Sequence, residues 1–406
     1  MVTWTPVRSL KLLAPAFQAG GTALAALWTF PSMLLSAFLV AWGAEAAQFL
    51  ISQGLALAIL AWLQTLPEFA VEAVIAWDAG KDPARAHLAI ANLTGAIRLL
   101  LGLGWPMIYF VFAVASREPG RRKLPVITLE PEHAVEVVGL IPPLLYFLVV
   151  LVRQRIGWID AATLILLYVA YLVVLMRNPP REQESLDEAP RVSRWAYGQR
   201  GWRRPAAIGG LFVVGGALLY VTAHPFLNSM IAVAAALGIS QFFLVQWVAP
   251  FLSEFPEFVS TVGWARRVTP APMALMNIVS SNINQWTILA AMIPLVYGYS
   301  HLRHTGVWAD FPLDLSQRNE LALTLLQTML GVLLLANMEF DWREATLLVV
   351  LWAVQFVAPQ LRGAVMVAYG IWAVVLVIAY VLKREPLRAP AAFLATVRKK
   401  RSAESA

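Results

Sequence analysis

Cysteine is missing altogether from the 406 residues, which excludes disulfides, thiolate metal sites and thiol nucleophiles. Histidine is scarce too. The five present (His87, His133, His224, His301 and His304) show no HExxH-type spacing, so a hydrolytic zinc centre has no ligands to use. Charge is the third shortage: 14% of residues are charged against 59% hydrophobic, too few to cover a soluble domain of this size. What fills the sequence instead is a series of apolar stretches of about 20 residues, the length a helix needs to cross a hydrocarbon core of about 30 Å. Spans are predicted near 28–50, 55–78, 87–115, 136–152 and 158–176, then 206–232, 238–265, 272–298, 317–338, 344–358 and 363–382. The chain reads as an all-α polytopic membrane protein. Residues 1–27 read as an amphipathic lead interrupted by Arg8 and Lys11, and no signal peptide is assigned.

The formal charge of +7 does not point to nucleic acid, because the basic residues lie between spans, where they orient the chain. With eleven spans, nine Lys and Arg fall on one side and 21 on the other, leaving Arg98 alone inside the membrane. Since cytoplasmic loops collect basic residues, the amino terminus is expected outside and the carboxyl terminus in the cytoplasm. Residues 177–204, with Pro179, Pro180 and a mixed-charge run, read as a cytoplasmic linker, and the basic tail 383–406 as a segment lying on anionic lipid. Tryptophans such as Trp105, Trp158, Trp202 and Trp342 fit interfacial belts. The partners implied are the lipid bilayer and transported ions. A bacterial inner membrane is the expected location.

The two halves resemble each other. Leu66-Pro67-Glu68-Phe69 matches Phe255-Pro256-Glu257-Phe258 at an offset of 189, and Asn92 in Ala91–Ala96 matches Asn277 in Asn277–Ser281 at 185. Trp158-Ile-Asp-Ala-Ala-Thr163 parallels Trp342-Arg-Glu-Ala-Thr346. Three matches in one order predict a duplicated unit, residues 28–176 and 205–358, with 359–382 as an extra span. Five spans per unit is an odd number, so the second copy inserts upside down, the arrangement of secondary transporters whose binding site lies where the repeats meet.

Acids inside a bilayer are costly and face a cavity or a partner. Here they fall on the repeated elements, Glu68 after Pro67 and Glu257 after Pro256. Proline lacks an amide proton, so it can free carbonyls near Gln64 and Ser253. Carboxylates, freed carbonyls and the hydroxyls of Thr65 and Ser281 form a hard-oxygen set of the kind Ca²⁺ accepts. The plainer alternative is that Glu68 and Glu257 are buried acids paired with Arg98 or with helix ends.

These residues resemble the α-repeats of the calcium/cation antiporter superfamily, the sodium/calcium exchanger type. Its T-S-x-P-E element is matched by Gln64-Thr65-Leu66-Pro67-Glu68 and Ser253-Glu254-Phe255-Pro256-Glu257; its G-N-x-x-G-S-N-x-x-N/D element by residues 91–100 and 276–285. The resemblance implies a ten-helix core of two inverted five-helix repeats, with Glu68 and Glu257 as calcium ligands. Thr65, Ser281 and Gln285 take polar ion-site positions, and the carbonyls near Gln64 and Ser253 take backbone ligation. No cofactor is implied; the expected cargo is Ca²⁺, exchanged for H⁺ or Na⁺. The sequence departs from the pattern at Ala96, Ile97 and Leu100, which stand where serine, asparagine and a final polar residue are usual, and at Gln285. It adds Glu254 and Glu72. Glu254 and Glu257 share a helix face, as do Glu68 and Glu72, and such clustered carboxylates favour protons as the coupling ion. Arg98 reads either as a tethered cation or as a structural partner of Glu72 or Glu45. Asn92 and Asn277 read as helix-stitching residues, and Asn282 as either stitching or lining the ion's access. The alternatives on the same fold are a monovalent Na⁺/H⁺ exchanger and a non-transporting scaffold or sensor. A membrane-embedded enzyme has no catalytic constellation to support it.

Overall fold

The computed structural model describes residues 22–50, 65–117, 124–176, 186, 189–267, 269–384 and 386–395. Gln64, most of the predicted lead, the first part of the second predicted span and the end of the tail lie outside these residues. The described chain is almost wholly helical. The first half contains α1 (Ala26–Ala47), α2 (Leu66–Lys81), α3 (Ala86–Leu99), α4 (Trp105–Ala115), α5 (Ala134–Gly139), α6 (Ile141–Arg153) and α7 (Trp158–Met176). A short α8 (Arg191–Gly198) follows. The second half contains α9 (Arg203–Leu237), α10 (Gln241–Ala265), α11 (Ala271–Asn284), α12 (Ala290–Thr305), α13 (Leu315–Leu335), α14 (Trp342–Val357) and α15 (Arg362–Val381).

Six helical stretches are long and apolar enough to cross a membrane: Ala23–Ala47, Pro83–Ala115, Pro131–Arg153, Trp158–Met176, Arg203–Leu237 and Pro359–Val381. The chain is an integral membrane protein. The other predicted spans correspond to helices that are too short, such as α2 and α14 with 16 residues each, or that carry several polar residues, such as α10 with Glu254 and Glu257 and α13 with Arg318 and Glu320. Among them α10 is unbroken through Pro250 and Pro256. The unwinding expected there is therefore not what marks the motif helices. The departure from α-geometry lies on their neighbours, where α3 runs into α4 through a π-helical turn, Leu100–Gly104, and α11 into α12 through another, Gln285–Leu289. A π turn inserts an extra residue and re-aims the side chains that follow, a device common at functional sites.

Two short antiparallel strand pairs connect the halves. β1 (Ile127–Thr128) pairs with β4 (Glu339–Phe340), and β2 (Arg155–Ile156) pairs with β3 (Phe311–Pro312). β1 and β3 each precede the fourth span of a half, and β2 and β4 each precede the fifth. The partners are thus exchanged between halves: the loop before the fourth span of one meets the loop before the fifth span of the other. Two copies in opposite orientations bring those loops to one face, whereas two copies in the same orientation would separate them by the thickness of the bundle.

The spacing between corresponding features is constant. β1 and β3 begin 184 residues apart, as do β2 and β4; the ends of α2 and α10 are 184 apart, and the starts of α3 and α11 are 185 apart. The two π turns begin 185 apart. The Pro-Glu-Phe match at 189 is therefore displaced by four residues, about one helical turn, from the register that the helix hairpins follow. Because four residues return a side chain to nearly the same helix face, the motif keeps its face while shifting along the axis.

Packing corrects two expectations. Trp105 is fully buried, edge-on to Phe340 and against Gly331, so it belongs to the core, whereas Trp158, Trp202 and Trp342 are exposed as belt residues should be. The start of the tail lies on protein: Arg388 pairs with Glu339 at 2.7 Å, and Ala389 is buried.

Candidate functional site

Helices α2, α10 and α11 bring their acids and amides together at the centre of the molecule. Glu68 lies in the first turn of α2, behind Pro67, whose fixed φ suits that position. Glu254 and Glu257 lie on one face of α10 and flank Pro256. Gln285 opens the second π turn, and its Nε2 donates to Glu68 Oε1 at 3.1 Å and to Glu254 Oε1 at 3.0 Å. Gln285 thereby bridges an acid of the first half and an acid of the second, and Glu257 follows Glu254 by one helical turn on the same face of α10. Glu68, Glu254 and Glu257 thus form a chain of neighbouring acids across the two halves, with Glu68 and Glu254 almost wholly buried and Glu257 partly buried.

A second shell of small polar residues holds this chain. Ser281 Oγ and Asn277 Nδ2 donate to Glu257 Oε1 at 2.7 and 3.0 Å. Asn284 Nδ2 donates to Thr65 Oγ1 at 2.7 Å, and Asn282 Nδ2 donates to Gln285 Oε1 at 3.1 Å and to the carbonyl of Ile97 at 3.4 Å. Asn282 is thus a residue that orients Gln285. Ser253 Oγ donates to the carbonyls of Ala249 and Pro250, both at 3.1 Å, and so remains committed to its own helix.

The helical frame is repeated but its chemistry is not. At the constant offset of 185, Ser281, Asn282, Asn284 and Gln285 correspond to Ala96, Ile97, Leu99 and Leu100, which are buried in the apolar core. The first half contributes Glu68 and Thr65 to the central cluster, and the second half contributes the rest. Asn92 does not reach Glu68: its Nδ2 donates to Glu72 Oε2 at 2.7 Å, one turn further along α2.

Arg98 pairs with neither Glu72 nor Glu45, the partners expected of it. It is fully buried and donates to Glu320 Oε2 at 2.6 Å, to Gln355 Oε1 at 3.1 Å and to the carbonyl of Thr94 at 3.1 Å, with its guanidinium 5.4 Å from the Trp247 ring centroid. Glu320 is shared with Arg362, which also reaches Gln246 at 2.7 Å. Glu45 instead accepts from Ser193 at 3.0 Å and from Ser260 at 2.9 Å. Sequence reasoning passed over Asn284, Glu320, Gln246, Gln355 and Ser260. Asn284 stands inside the motif and carried a signal; the others meet partners far away in the chain, where no local pattern marks them.

Comparisons with known proteins agree with this frame. The crystal structure of the H⁺/Ca²⁺ exchanger CAX superposes with a TM-score of 0.81 at 26% identity, covering 97% of this chain and 98% of that one. Structures of the sodium–calcium exchanger NCX_Mj share the fold, one with a TM-score of 0.53 at 18% identity over 83% of this chain and 99% of that one. A search of curated protein sequences found no match. The sodium/calcium exchanger protein family matches residues 19–177 and 208–359, spanning both halves. Taken with the interlocked halves and the central carboxyl chain, this match makes the chain a member of the sodium/calcium exchanger protein family.

Proposed function

We propose that the protein is a secondary antiporter that exchanges Ca²⁺ for protons by alternating access, with Glu68, Glu254 and Glu257 as the shared ligands. The observation that carries this reading is the pair of buried acids, Glu68 of the first half and Glu254 of the second, bridged by the Gln285 amide, with Glu257 one turn away on the same face of α10. Carboxyl oxygens take up protons and are also the hard donors Ca²⁺ prefers, so the two cargoes compete for the same atoms. Competition of that kind enforces exchange, because the protein crosses between states with one cargo or the other. Thr65 and Ser281 supply hydroxyl oxygens beside the carboxylates, and Gln285 supplies an amide oxygen if its side chain turns over. The carbonyl of Ser253 and, by the family pattern, that of Gln64 complete the proposed set.

Two further points support protons over Na⁺. The exchanger similar over 97% of this chain is described as an H⁺/Ca²⁺ exchanger. The first half also offers Ala96, Ile97, Leu99 and Leu100 where side-chain oxygens for Na⁺ would be wanted. We further propose two inverted units, residues 28–176 and 205–358, joined by the linker 177–204 and followed by an additional helix, in a bacterial inner membrane with the amino terminus outside. The test is ⁴⁵Ca²⁺ uptake by proteoliposomes under an imposed pH gradient and then an imposed Na⁺ gradient, with Glu257→Gln as control. Uptake driven by the pH gradient and lost in the variant is the expected result; uptake under neither gradient overturns the calcium reading.

A further inference from the structure

Glu257 and Asn277 have structural counterparts that the sequence motif conceals. In the second half Asn277 donates to Glu257 across 20 residues of chain, and in the first half Asn92 donates to Glu72 across the same 20. The two pairs are 185 residues apart, the offset followed by the helix starts and the π turns. By this register the counterpart of Glu257 is Glu72, while Glu68 stands opposite Ser253. The four acids then lie in order along α2 and α10: Glu72 nearest the face of the α2–α3 turn, Glu68 and Glu254 in the middle, and Glu257 nearest the face of the α10–α11 turn. The exchanged strand pairs put those two turns at opposite faces.

The two pairs differ in access. Glu257 and Asn277 are partly buried, whereas Glu72 is 0% and Asn92 1% exposed. Glu72 Oε1 is buried with no hydrogen-bond partner among the described residues. An unpaired carboxyl oxygen at this depth is destabilising, and the side chain has one donor, Asn92. Structural packing would satisfy both oxygens; a carboxyl that waits for a ligand in another state would leave one free.

We propose that Glu72 and Asn92 form the terminal of the ion path at the α2–α3 face, closed in the state seen here and open to the cation when the molecule faces the other way. This inference rests on the transport reading above. It assigns Glu72 a cation-contacting role that the Pro-Glu-Phe motif gives to Glu68 alone.

The absence of cysteine allows a direct test. Asn92→Cys and Asn277→Cys are introduced singly into the full chain in proteoliposomes, and each is treated with a membrane-impermeant maleimide from either side, with and without Ca²⁺. Labelling of the two positions from opposite sides, with rates that Ca²⁺ moves in opposite directions, is the expected outcome. Position 92 inert from both sides in all conditions, or labelled from the same side as 277, overturns the proposal. A second arm uses Glu72→Gln in calcium flux. The KM for Ca²⁺ presented at the α2–α3 face should rise about tenfold, with the KM at the opposite face unchanged; equal change at both faces would mean a merely structural role. Wild-type protein without flux would sink the calcium reading, while the maleimide result would still decide the path.

Discussion

Gly95 sets how closely α3 approaches α10. Pro250 has no amide proton, so the carbonyl of Gln246 lacks its usual donor in the helix, and Gly95 packs directly against that oxygen. A Cβ at position 95 would lie 1.7 Å from Gln246 O, and the obstacle is backbone that cannot rotate away. Gly95→Ala should therefore force the two helices apart at a cost of about 3 kcal/mol or more, read as a lower melting temperature and loss of the monodisperse peak in detergent. Gln285 offers a gentler test. Gln285→Leu copies the residue at the start of the other π turn and removes the amide that bridges Glu68 and Glu254. Calcium affinity should fall by about 10–100-fold while the melting temperature changes little; equal affinity would mean that the amide serves packing only. At this scale much of the site was legible. Glu68, Glu254, Glu257, Ser281 and Gln285 stand in two short motifs, and helical spacing put them on shared faces. The register of Glu72 was not legible, because a shift of four residues preserves the helix face and leaves the motif looking aligned.

Arg98 shows how elements are fastened at membrane depth. Its guanidinium ties α3 to Glu320 on α13 and Gln355 on α14, and Glu320 passes the link to Arg362 at the start of α15. Gln355 also touches Tyr369 of α15. The additional helix is thus anchored to the core by a charge network besides apolar packing. Removing one member leaves the other as an uncompensated charge, so Arg98→Gln should destabilise by about 3–5 kcal/mol. The double variant Arg98→Gln, Glu320→Gln should recover part of that loss, and thermal unfolding of the three proteins checks both statements. Charge counting placed Arg98 inside the membrane correctly but could not find its partner, since Glu320 is 222 residues away and sits near the end of a span, where an acid draws no notice. The element boundaries were easier. The spans predicted at 158–176 and 363–382 match Trp158–Met176 and Arg362–Val381 closely, because apolar runs bounded by polar turns are set by bilayer thickness. The π turns had no such signal, as one inserted residue leaves the apolar run intact.

For the whole molecule, the proposed sharing of carboxyls between Ca²⁺ and protons predicts that calcium binding depends on pH. Ca²⁺ needs the carboxylates ionised, so binding at these acids would expel the protons they carry. Calcium affinity should accordingly rise as pH increases and weaken as it falls, with proton release on addition of Ca²⁺ to weakly buffered protein; titration at pH 6, 7 and 8 with a pH dye checks it. Affinity independent of pH would separate the acids from the cargo. The two strand pairs have a mechanical consequence. β1–β4 fastens one face and β2–β3 the other, so α6 and α13 are seamed at both ends, and α7 and α14 at their starts, into a chassis. Helices α1 and α9 are held otherwise. They lie along each other through Gly43 against Leu211 and Gly215 against Val40, and none of the four strands flanks them. A cysteine bridge between Thr128 and Glu339, which face each other across the ladder, should leave exchange running. A flexible bis-maleimide crosslink between cysteines placed at Phe38 of α1 and Phe255 of α10, whose rings are 6.1 Å apart, should stop it. The molecule would then work as a carriage on a fixed rail, with the glycine-lined seam between α1 and α9 keeping the carriage in one piece as it travels.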